Sequence, residues 1–147
     1  LGRAGHLGHI SLDPNGKKDI VNTPGSIEDL IGECTLQERG GGKYASTKDL
    51  VQAHRSGDGN ATKIWLDSVK ALAAATASII NAVDPETIIL GGGIAQAGDA
   101  LTTPLKQYLD EFEWRPTNEA VKLVFATLGD HAGAIGAARN ALEKRFA

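Results

Sequence analysis

The chain has 147 residues, 41% of them hydrophobic and 22% charged, with a formal net charge of −3. That is the make-up of an ordinary globular protein, long enough to bury one core, and its scattered Lys and Arg give no sign of a nucleic-acid footprint. The one cysteine, Cys34, excludes an internal disulfide and a multi-cysteine metal site, which fits a reducing compartment.

No apolar run approaches the ~20 residues of a membrane span, so no span is expected, and no secretory leader opens the chain. Leu1 starts without a cap or a strand lead-in and reads as a beginning cut from something longer. Residues 9–12 and 19–21 alternate apolar and polar around Asp13-Pro14-Asn15-Gly16, which predicts a hairpin. Thr23-Pro24-Gly25-Ser26 then marks a helix start whose apolar face is Ile27, Leu30 and Ile31. Residues 35–45, with Gly40-Gly41-Gly42, predict a mobile loop. Ser46 and Asp49 form a capping-box pattern for a helix ending near Arg55.

Ser56 to Asn60 breaks the chain and caps the longest element, a helix over residues 61–83. Trp65, Val69, Leu72, Thr76, Ile79 and Val83 lie on one face of it, and its alanines allow close approach elsewhere. Asp84-Pro85 ends this helix, and residues 87–90 read as a buried strand. A helix over 97–112, a strand over 121–126 and a small-residue helix over 133–146 complete the chain. This order predicts an α/β fold with a largely parallel sheet covered by helices. Ligands in such sheets sit beyond the carboxyl ends of the strands.

Gly91-Gly92-Gly93 falls at such an end. Bare backbone there lets a ligand lie close, and a following helix start offers free N–H groups to an anion or an adenosine. A tight strand-to-helix corner with no ligand explains the glycines equally well, and neither a dinucleotide nor a phosphate-loop spacing is present. His6 and His9, each behind a glycine, put two imidazoles on open backbone. They suit hydrogen bonding to a polar ligand such as a sugar, simple structural bonds, or a metal that recruits Glu28 or Cys34. Glu28 sits one turn into a predicted helix, and on the residues alone its plainer role is to serve the helix dipole. Cys34 reads as an inert buried hydrophobe, His54 as solvated, His131 as a cap or cleft residue, and Trp65 and Trp114 as packing residues.

Three segments together resemble the ROK family of bacterial sugar kinases and repressors. Ala4-Gly5-His6-Leu7-Gly8-His9 is similar to the family's Ala-Gly-Glu-Ile-Gly-His, and Gly25-Ser26-Ile27-Glu28 to its Gly-Cys-Leu-Glu. Ile89-Leu90-Gly91-Gly92-Gly93-Ile94 is similar to its Leu-Gly-Gly-Gly turn, and Gly133 to Ala138 fits its terminal small-residue helix. The resemblance covers essentially residues 1–147 and implies an actin-like, ribonuclease H-like ATPase fold of which this is mostly the C-terminal lobe. Residues 1–45 would be the sugar-side part and 46–147 the helical, nucleotide-side core.

By that resemblance, His6, His9 and Glu28 face a hexose, while Gly91, Gly92, Gly93 and Ile94 lie along ATP. The parent would be a cytoplasmic, Mg2+- and ATP-dependent hexose kinase of glucokinase or fructokinase type, and a homodimer. Alternatives are the sugar-sensing lobe of a ROK repressor, or a non-catalytic ROK-like binding protein.

The departures are informative too. His6 stands where the family has Glu, which leaves the preferred sugar open. Ser26 replaces the last cysteine of the family's zinc motif, and no cysteine lies between His9 and Glu28, so no zinc is expected and a Thr23 cap with Pro24 would stiffen the turn. The N-terminal lobe, with its phosphate-binding turn and catalytic Asp, is missing from this sequence, so no catalytic residue is assigned and the fragment is expected to be inactive alone.

Overall fold

A computed structural model describes residues 5–145. Ala4 of the first ROK-like segment, the Leu1 start and the Phe146 helix end lie outside the described residues. Six α-helices and two strands follow in order: α1 (Ile27–Ile31), α2 (Leu36–Arg39), α3 (Thr47–Arg55), α4 (Gly59–Val83), β1 (Thr87–Leu90), α5 (Asp99–Phe112), β2 (Lys122–Phe125) and α6 (Ala132–Arg145). Short 3-10 turns join several of them.

The core is helical and centred on α4. Ala61, Ile64, Trp65, Val69, Ala73, Ala77 and Ile80 form its buried stripe, packed against Leu50 and Val51 of α3 and Leu101, Leu105 and Leu109 of α5. The stripe is displaced from the expected one, because Val83 is exposed and small alanines take the contact positions. By length and composition α4 is also apolar enough to cross a membrane, contrary to the expectation that no run approaches such a span. Its burial of Trp65 between α3 and α5 is that of a core helix.

Its ends are set by local chemistry. Asp58 caps the start by accepting from the Ala61 N–H at 2.9 Å, and Asp84 closes the end in a left-handed conformation, φ 47°. Ser46 caps α3 as the capping-box pattern predicts, accepting from the Asp49 N–H at 3.2 Å.

Pro104 lies inside α5. A proline has no N–H for the carbonyl four residues earlier, here that of Ala100. The Trp65 indole N–H donates to that carbonyl at 2.8 Å, so the lost helical bond is replaced by one that ties α5 to α4.

The strands β1 and β2 pair in parallel, with Thr87 opposite Lys122 and Ile89 opposite Val124. The sheet therefore has the predicted sense but only two strands among the described residues. Ile88, Leu90 and Leu123 pack on the helical core, while Ile89 on the other face is exposed, and Phe125, on the core side beside Leu90, is exposed at the strand end.

Several expectations are corrected. Residues 9–12 and 19–21 do not pair as a hairpin. Instead single antiparallel bridges join Ser11 to Ser26 and Lys18 to Pro24, because the chain folds back onto the start of α1. The turn at Asp13–Gly16 does form, with the Gly16 N–H donating to the Asp13 carbonyl at 3.0 Å. Ser26, not Thr23, caps α1. Residues 35–45 are not a free loop: Leu36 opens α2, and it and Tyr44 are 1% and 3% exposed. Cys34 and Trp114 are exposed rather than packed. His54 is half-buried, with Nδ1 3.0 Å from the Thr62 hydroxyl.

Candidate functional site

His9 and Glu28 are positioned by α1 and the loop that wraps its first turn. Gly25 immediately precedes the Ser26 cap and has φ +53°. A Cβ there would collide with the Asp13 carbonyl oxygen and stand 2.8 Å from the Asp13 Cβ, so glycine is required for the loop to close. Its N–H donates to Lys17 and its carbonyl accepts from Leu12, both at 2.8 Å. Ser26, fully buried, accepts from the Asp29 N–H at 3.4 Å, and the Ile27 N–H reaches back to the Ile10 carbonyl at 3.0 Å. These bonds lay the segment containing His9 against the first turn of α1, where Glu28 stands.

His9 and Glu28 are thereby brought together. His9 Nδ1 lies 2.9 Å from Asp19 Oδ2 and 3.5 Å from Glu28 Oε2. The side chains are 28% exposed for His9, 44% for Glu28 and 0% for Asp19. The first two can meet a ligand and the third cannot. His6 is exposed in front of the 3-10 turn at Leu7–His9, and its side chain makes no hydrogen bond among the described residues.

Asp19 was not singled out from the sequence. Its Oδ1 accepts from the Val21 N–H at 2.9 Å and the Thr23 N–H at 2.8 Å, an Asx-type turn followed by Asn22 at φ 66°. Burial pushes its carboxyl up. The bonds from His9, the Thr23 N–H, the Ser26 hydroxyl and the Val21 N–H outweigh that and hold it at about 2. The available signal was an aspartate ahead of Asn22-Thr23-Pro24, a common turn pattern, and the meeting with His9 ten residues away is tertiary.

The second candidate site is the corner after β1. Gly91 and Gly92 line a pocket of about 160 Å³ with Leu90, Ala95, Gln96, Phe125, Ala126 and Gly129. Gly92 has φ +74°, a conformation that favours glycine, and a Cβ on Gly91 would stand 3.4 Å from that of Ala126. Gly93 opens the 3-10 turn that leads to α5, and Ile94 packs on the core. The lining offers bare backbone and an apolar floor and, among the described residues, has neither a cationic nor an acidic side chain. It fits the adenosine part of a nucleotide better than the phosphates. At this volume it is smaller than a complete ligand pocket, which runs from roughly 300 Å³ upward. His131 is exposed in the turn before α6.

Among the described residues no group of three or more His, Cys, Asp or Glu is arranged to hold a metal ion. A further hollow of about 190 Å³, lined among others by Asp13, Lys17, Glu38 and Arg39, does not involve His9 or Glu28.

The ROK family profile matches residues 1–144. A glucokinase of Halalkalibacterium halodurans is 29% identical, over 92% of this chain and 46% of its own length. An N-acetylmannosamine kinase of Haemophilus influenzae is 29% identical, over 93% and 45%. The chain thus spans about half the length of these curated relatives. Among solved structures, a ROK hexokinase from Thermus thermophilus superposes with a TM-score of 0.79 at 29% identity, over 99% of this chain and 50% of that one. A ROK transcriptional regulator homologous to the E. coli MLC protein gives 0.70 at 28%, over 81% and 33%. The fold is therefore that of the ROK sugar kinases, an actin-like ATPase fold. With the profile matched nearly end to end, this chain belongs to the ROK family.

Proposed function

We propose that this chain is the C-terminal lobe of an ATP-dependent hexose kinase and supplies one wall each for the sugar and the nucleotide. His9 and Glu28, with His6 beside them, hydrogen-bond sugar hydroxyls, and Gly91 to Gly93 with Ile94 lie along the adenosine. The observation that carries the reading is the partly exposed pair of His9 and Glu28 at the first turn of α1, backed by a fully buried carboxylate. Exposed hydrogen-bonding groups of both kinds, fixed by a rigid second layer, are what polyol recognition needs. The names of the glucokinase and N-acetylmannosamine kinase relatives support a hexose as the ligand class.

ATP supplies the phosphoryl group in such a reaction, with Mg2+ neutralising its phosphates. Residues 91–94 meet only the nucleoside. The phosphates, the metal and the base that orients the attacking hydroxyl belong to the N-terminal lobe, and this lobe alone does not turn over. The parent acts in the cytoplasm as a homodimer, without zinc.

Calorimetry with glucose, fructose, N-acetylmannosamine and ATP tests this. Weak, millimolar binding of a hexose is expected, with Glu28→Ala weakening it about tenfold or more. A hexose site that survives Glu28→Ala, or robust kinase turnover by this chain alone, overturns the assignment. A second reading, the sugar-sensing lobe of a ROK repressor, is favoured by the likeness to the transcriptional regulator. The parent's upstream sequence discriminates: an Asp-x-Gly-Gly-Thr turn marks the kinase and a winged helix the repressor.

A further inference from the structure

The two carboxylates facing His9 are not equivalent. Asp19 is fully buried, lies 2.9 Å from Nδ1, and has its other oxygen committed to the backbone N–H groups of Val21 and Thr23. Glu28 is 44% exposed, and its 3.5 Å separation from Nδ1 is longer than the usual N–H···O bond. An ionised carboxylate can only accept, so the ring nitrogen facing Asp19 must carry the proton. The other nitrogen, Nε2, has no hydrogen-bond partner among the described residues, and the ring is 28% exposed.

From this we infer that Asp19 is a positioning residue of the sugar site, fixing His9 in the Nδ1–H tautomer so that Nε2 presents a lone pair to a ligand hydroxyl. Glu28 is thereby left free to accept from a second hydroxyl. The pair recognises a ligand with two adjacent hydroxyl donors, and it disfavours one that offers only acceptors at that position. The ligand half of this inference rests on the hexose reading above; the tautomer half does not.

The division of labour between the Asp19 oxygens gives a sharp test. In Asp19→Asn the carbonyl oxygen can keep the Val21 and Thr23 bonds while the amide N–H₂ faces His9. Nδ1 must then accept, and the proton moves to Nε2. Long-range nitrogen–proton correlation spectra of the isotope-labelled chain, recorded at alkaline pH, read the tautomer directly. His9→Gln identifies the peaks among the four histidines.

The expected result is Nδ1–H in the parent chain and in Glu28→Gln, and Nε2–H in Asp19→Asn, with hexose affinity in Asp19→Asn reduced roughly five- to tenfold. Nε2–H in the parent chain, an unchanged tautomer in Asp19→Asn, or a switch caused by Glu28→Gln overturns the assignment. Should Asp19→Asn fail to fold, the spectra of the parent and Glu28→Gln decide it by the same criteria. If the tautomers behave as expected but no hexose binds the parent chain, the hexose reading fails and the role of Asp19 stands.

Discussion

The body built on α3, α4 and α5 and the segment from Gly5 to Gly32 are held by different physics. In the body, Trp65, Leu50, Leu101, Leu105 and Leu109 are all at most 2% exposed and pack on one another. In the Gly5 to Gly32 segment two of the buried side chains, Asp19 and Ser26, are polar and stand beside Ile27, while Ile20 and Val21 stand in solvent. The body draws its stability from apolar area. The segment depends on a few hydrogen bonds whose directions fix where His9 and Glu28 point. A binding edge of this kind can be altered by one polar substitution without dismantling the core beneath it.

The sharpest way to break this contrast is to cut into each region in turn. Trp65→Ala removes the largest buried side chain and the donor to the Ala100 carbonyl. It should cost about 3–5 kcal/mol and lower the urea midpoint of the whole chain. If the midpoint barely moves, the core is not organised around this residue. Gly25→Ala forces a Cβ against Asp13 in a backbone conformation that disfavours it, at about 1–3 kcal/mol. Hydrogen exchange should show that loss in residues 10–30, with the centre of α4 protected as before. Ser46→Ala removes the α3 cap and should cost about 1 kcal/mol, seen as faster exchange at the Asp49 amide.

Acid gives the gentlest test. The Asp19 carboxyl is held at about 2 against its ordinary 3.8. A carboxyl depressed by folding stabilises the native state above its unfolded value and loses that contribution as pH falls through the folded one. Protection of the Val21 and Thr23 amides should therefore decline between about pH 4 and pH 2. Loss at higher pH would mean that His9 and the turn do not hold this carboxylate as described.

The two regions also differed in how far they could be read in advance. The starts of α3 and α4 were legible, because Ser46 with Asp49 forms a capping box and the break over residues 56–60 contains the Asp58 cap. The α4–β1–α5–β2 order followed from periodicity and breakers, and the glycine corner lies at a strand end as its composition implied. Residues 35–45 were misread because three glycines dominate the local signal, while burial of Leu36 and Tyr44 comes from α3 and α4. Cys34 and Trp114 show the converse: residue type suggested burial, and the neighbours that would cover them are not there among the described residues. In the candidate site, His9 and Glu28 were visible as residue types in a pattern. Asp19 was not, since its partner is ten positions away and is reached only when the loop closes on Gly25.

The bond from Trp65 to the carbonyl freed by Pro104 has a practical consequence. The chain contains two tryptophans: Trp65 is 1% exposed and hydrogen-bonded, and Trp114, just past the end of α5, is 72% exposed. One indole should emit at short wavelength and be shielded from iodide, while the other emits at long wavelength and is quenched. The intrinsic fluorescence is therefore a built-in two-channel gauge. Its shielded channel follows the α4–α5 contact during titration or unfolding, without any added label.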